Sequence, residues 1–153
     1  MKRWIVYIAA AILFAVTPFR GTDIAKLAPV EVVWLTEKGG QVYLETDTGD
    51  MGWGTDVRTA LEDMKAAAPG SIFLETADYL VVEQGREALL EQTCDVLRPS
   101  CMVCTAETMP DMEAVAAYLA AHEPQITLRQ WQVEYQKLPV LRDLEGRFEL
   151  IAE

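Results

Sequence analysis

Three cysteines, one histidine and a run of acids among glycines are the residues of this chain with the means to do chemistry. Cys101 and Cys104 make a C-x-x-C. In thiol–disulfide enzymes that spacing sits at a helix N-terminus, where the dipole lowers a thiol pKa. Here it lies in Cys101-Met102-Val103-Cys104-Thr105-Ala106, a short apolar run of strand type. Three residues of strand hold two Cα atoms roughly 10 Å apart, whereas a disulfide needs them within about 7 Å. The odd spacing also sends the two side chains to opposite faces. The pair is therefore expected not to bridge. Cys94, on the preceding segment, is the candidate to meet one of them. An odd number of cysteines leaves an exported chain with a thiol free or paired between molecules. The expectation is that Cys94, Cys101 and Cys104 act as small buried hydrophobes. A structural disulfide through Cys94 and thiol exchange through Cys101 and Cys104 are the alternatives.

The acids are weaker signals. Asp47-Thr48-Gly49 matches the tripeptide of aspartic proteases, which place it after apolar strand residues so that two carboxylates share a proton in a dry site. Here it follows Glu45-Thr46 and precedes Asp50, a wet setting that favours a turn. Glu45, Asp47, Asp50 and Asp56 could offer oxygens to Ca²⁺, although their spacing is not that of an EF-hand loop. Gly49, Gly52 and Gly54 are not followed by Lys-Ser or Lys-Thr and make no phosphate loop. His122 precedes Glu123-Pro124 and reads as a helix-end residue favoured by the dipole. No serine sits in a nucleophile elbow. With a single histidine, no cofactor and no dedicated metal site are expected. Trp53, beside these acids, is a candidate contact for a partner or ligand.

These residues need elements to hold them. Val30 to Leu35 is rich in β-branched residues and Gln41 to Thr46 alternates; with Lys38-Gly39-Gly40 between them they predict a hairpin. The stretch 47–54 predicts a loop. Thr55 is placed to cap a helix bearing Val57, Ala60, Leu61, Met64 and Ala68, stopped by Pro69-Gly70. Residues 71–74 and 79–83 read as extended, 86–97 as a helix, and 110–122 as a helix opened by Pro110-Asp111. Leu128 to Tyr135 alternates, with Trp131, Val133 and Tyr135 on one face, and predicts a strand. Glu145-Gly146 predicts a final turn. The sum is an α/β domain (α+β being the alternative), with a mixed sheet and about three helices.

Residues 1–20 have a different character. Lys2 and Arg3 precede an apolar run, Trp4 to Phe19, and no charge returns until Arg20. That is the layout of a secretory signal or an uncleaved anchor. As a helix, residues 4–19 cover roughly 24 Å of a hydrocarbon core about 30 Å thick, with Lys2, Arg3 and Arg20 able to snorkel. Pro18 sits badly for cleavage after Thr17, which favours retention. The positive-inside rule places Lys2 and Arg3 in the cytoplasm and 21–153 outside. The expected address is therefore the cell membrane facing outside, or secretion if the signal is cleaved. The chain carries 13 Lys plus Arg against 24 Asp plus Glu, a net −11. So acidic a chain is a poor match for nucleic acid.

From about Asp23 to Pro139 the sequence resembles the N-terminal domain of the Ger(x)C family, the C subunits of bacterial spore germinant receptors. The resemblance is carried by Asp23-Ile24-Ala25-Lys26-Leu27-Ala28-Pro29-Val30, by Thr55-Asp56-Val57-Arg58-Thr59-Ala60-Leu61-Glu62-Asp63-Met64, and by Tyr79-Leu80-Val81-Val82. Leu97-Arg98-Pro99-Ser100 and Lys137-Leu138-Pro139-Val140-Leu141 complete it. Members of the family carry a lipid-attachment Cys after the signal and continue into further domains, so this chain is expected to be a single-domain relative. The family is not enzymatic and implies no catalytic residue here. What the resemblance implies is a module that works by contact with a protein partner in the cell envelope, in germination or sporulation. An exported thiol protein using Cys101 and Cys104, and a small ligand- or Ca²⁺-binding module at 47–56, are the alternatives.

Overall fold

The computed structural model describes residues 27–144 and 146–152. The expected apolar N-terminal helix, its membrane role and the boundary at residue 20 lie outside the described residues. Among the described residues no helix is long and apolar enough to cross a membrane.

Among the described residues the fold is α/β, built on a mixed seven-stranded sheet with four α-helices. The strands are β1 (Leu27–Pro29), β2 (Val32–Lys38), β3 (Gln41–Thr46), β4 (Met51–Gly54), β5 (Ser71–Phe73), β6 (Tyr79–Glu83), β7 (Met102–Ala106), β8 (Val140–Asp143) and β9 (Phe148–Ile151). The helices are α1 (Val57–Ala67), α2 (Leu90–Thr93), α3 (Met112–Ala121) and α4 (Leu128–Glu134). The sheet order is β4-β3-β2-β6-β7-β8-β9, and β1 pairs separately with β5. The central strands β2, β6, β7 and β8 are parallel, while β3, β4 and β9 extend the edges by antiparallel pairing.

Parallel strands covered on both faces carry near-continuous apolar runs. Val32 to Leu35 and Tyr79 to Val82 are all buried for that reason. Their alternate side chains build two cores. Val33, Leu35, Leu80, Val82 and Val103 point to the face packed by α1, α2 and α4. Val32, Trp34, Tyr79, Val81 and Cys104 point to the face packed by α3.

Several elements depart from the sequence reading. The predicted loop over 47–54 contains β4, whose glycines are needed because α1 lies against it. A Cβ on Gly52 would stand 2.1 Å from the carbonyl oxygen of Ala60, and one on Gly54 2.3 Å from the Ala60 nitrogen. The cap of α1 is Asp56 rather than Thr55: its carboxylate accepts the Thr59 N–H at 2.8 Å, and the Thr59 hydroxyl oxygen accepts the Asp56 N–H at 3.1 Å.

The strand predicted over 128–135 is the helix α4. Thr127 and Gln130 form a capping box, and Leu128 and Trp131, three apart, are buried together. Local capping overrides the alternation, leaving Val133 73% and Tyr135 67% exposed. The helix predicted over 86–97 shrinks to a 3₁₀ turn, Glu87–Leu89, and the single turn of α2. Residues 27–29 form β1, and residues 71–74 divide into β5 and the start of a 3₁₀ turn.

Candidate functional site

The chemistry-bearing residues do not converge. Cys101 packs in the core beneath α1, α2 and α4, and Cys104 in the opposite core beneath α3. All three cysteines are free. Burial pushes the Cys101 and Cys104 thiols up to about 12, and burial with the nearby Asp95 and Glu91 charges raises Cys94. Thiol exchange needs a thiolate that a partner can reach. Protonated sulfurs sealed on opposite sides of a sheet suit packing instead.

The acids around 47–56 are occupied one by one. The Asp47 carboxylate accepts the amides of Glu31 at 3.1 Å and Val32 at 3.3 Å, tying the turn after β3 to the start of β2. Asp50 accepts the Thr48 hydroxyl at 2.8 Å. Asp56 caps α1, and the Thr59 amide holds its carboxyl below the usual range. Two of these carboxylates, Asp47 and Asp56, are thus committed to backbone donors in different places. Among the described residues no three His, Cys, Asp or Glu side chains group as a metal site. His122 closes α3, with its ring stacked on Tyr118 at 4.5 Å.

What the fold does assemble is a surface on β4. Met51 and Trp53 alternate with the two glycines that α1 requires, so both side chains emerge on the face away from α1. They are 50% and 43% exposed. Tyr43 of β3 lies directly opposite Trp53, and Glu45 opposite Met51. The Tyr43 and Trp53 rings sit 4.2 Å apart at 43°. Tyr43 is itself buried, its hydroxyl donates to Glu45, and burial with that neighbour pushes its pKa up to about 12. The ammonium of Lys38 lies over the Tyr43 ring, 5.8 Å from the centroid. The Trp53 amide donates to Asp63 of α1 at 3.0 Å.

Of this group the sequence singled out Trp53, Asp50 and, as an acid, Glu45. It missed Met51, Tyr43 and Asp63. The alternation Met51-Gly52-Trp53-Gly54 was the available signal for an edge strand with one bare face. Asp63 is brought in only by the packing of α1. No family model matches the chain, and no curated protein or solved structure matches it.

Proposed function

We propose that this chain is a membrane-tethered, extracytoplasmic, non-enzymatic module that acts by touching another protein of the cell envelope, as the Ger(x)C N-terminal domain it resembles would do. The observation that carries the reading is the pair Met51 and Trp53, two large apolar side chains standing exposed side by side on a strand. Exposed aromatic and Met side chains on an ordered element are enriched at protein interfaces. The apolar run 4–19 after Lys2 and Arg3 supports the tether. The buried, protonated thiols lend no support to exchange chemistry.

The test is a photo-crosslinking residue in place of Trp53 in the full chain, expressed in cells and analysed in the envelope fraction, beside the germination kinetics of spores from a deletion strain. A discrete crosslinked envelope protein and slowed germination are expected. Normal germination with no crosslink from position 53 overturns the reading.

A further inference from the structure

We infer that the Met51–Trp53 surface receives a cationic segment of its partner protein, with an arginine or lysine laid on the Trp53 indole between carboxylates. The inference rests on the contact reading above and names the chemistry of the partner.

The surface has the parts for this. An exposed indole face attracts a cation through its ring quadrupole. The aromatic pair already takes one, since the Lys38 ammonium lies over the Tyr43 ring. Carboxylates stand on the face and at the edge of this strand pair. Glu45 faces Met51 across the strand pair, Asp50 precedes Met51, and Asp63 reaches the Trp53 backbone from α1. None of the three is in an ion pair among the described residues. Glu45 on the face and Asp63 at the edge lie beside two exposed apolar side chains, within a chain of net −11. An acidic or neutral partner would bury these charges uncompensated, whereas a basic one supplies their counterions.

The mode of docking is also constrained. An added strand would need the outward amides of β4, and Asp63 already holds the amide of Trp53. Recognition therefore runs through side chains: apolar contact at Met51, cation–π contact at Trp53, and charge at the rim.

The test uses the full chain with ¹⁵N-labelled tryptophan, the Trp53 indole N–H being identified by Trp53→Phe. The probes are two blocked hexapeptides, one alternating leucine and arginine, the other leucine and glutamate. The arginine peptide is expected to shift the Trp53 signal and leave those of buried Trp34 and Trp131 in place, with the shift weakening as salt rises. Glu45→Gln and Asp63→Asn should each weaken that binding roughly two- to five-fold, as exposed charges do. Glu149→Gln, on the strand at the opposite edge, should change nothing. Equal shifts with the glutamate peptide, or no shift of Trp53 with arginine, overturn the inference. Failure here can be told from failure of the contact reading. A crosslink from position 53 to an acidic or uncharged segment sinks the cationic partner alone, and the absence of any crosslink sinks the contact.

Discussion

The backbone N–H of Trp53 donates to Oδ2 of Asp63 at 3.0 Å, so a charged side chain from α1 occupies a donor on the edge strand β4. The other edge has a counterpart, since the amide of Leu150 in β9 donates to the hydroxyl oxygen of Tyr118 from α3 at 3.0 Å. Unpaired edge amides invite pairing with a second chain, and natural sheets blunt them with charges and covering groups. Both edges of this sheet are blunted by a helix that also packs on it.

Removing the Asp63 acceptor should open that edge. Asp63→Ala is expected to self-associate at concentrations where the parent chain is monodisperse, read by sedimentation velocity. Asp63→Asn keeps an oxygen acceptor and should behave as the parent. An Asp63→Ala protein that sediments as the parent does would show that the carboxylate is not guarding the strand.

The contact between β4 and α1 makes a sharper prediction. Gly52→Ala puts a methyl 2.1 Å from the backbone of Ala60, which cannot yield as a flexible side chain would. Overpacking of this kind costs about 1–3 kcal/mol. Gly39→Ala meets no atom, but its φ of +62° disfavours a side chain, and about 1 kcal/mol is expected. Urea denaturation of both variants checks the order. A smaller loss for Gly52→Ala than for Gly39→Ala would contradict the close packing of α1 on β4.

The cysteines should behave as hydrophobes. With a thiol reagent, Cys94 is expected to react in the folded chain, while Cys101 and Cys104 react only as fast as the protein opens. Their pKa values are raised from 9.0 to about 12 by burial, so the folded state holds protons that the unfolded state releases above pH 9. Their contribution to stability is complete below that pH and is lost as pH rises from about 9 to about 12. Mass spectrometry finding a Cys101–Cys104 disulfide in the native protein would contradict this placement.

Asp47 fastens the turn after β3 to the start of β2. Asp47→Ala leaves the Glu31 and Val32 amides without their acceptor and should cost about 1–2 kcal/mol. Calcium added to about 1 mM, the top of the range for extracellular calcium modules, should leave both thermal stability and tryptophan fluorescence unchanged. A saturable calcium response lost in Asp47→Ala would refute the assignment.

Much of the frame was legible in the chain itself. The β-branched run after Val30, the Gly39-Gly40 turn and the alternation of Gln41 to Thr46 predict the β2–β3 hairpin, because each feature acts over a few residues. The same holds for the apolar spacing of α1 and α3 and for Asp111 at the start of α3, which are local, whereas the cap of α1 fell one residue later than Thr55. C-x-x-C geometry was also legible, since a strand with period two cannot place residues three apart on one face. Misreadings arose where two local signals conflicted. Alternation at Trp131, Val133 and Tyr135 lost to the Thr127–Gln130 capping box, because satisfying helix-start amides outweighs a pattern whose apolar members need no burial. The glycines at 52 and 54 read as loop until α1 lay against them. The surface on β4 belongs to tertiary structure entirely: Tyr43, Met51, Trp53 and Asp63 come from three elements, and only the register of β3 on β4 and the seating of α1 bring an exposed indole, a buried phenol and a carboxylate to one place.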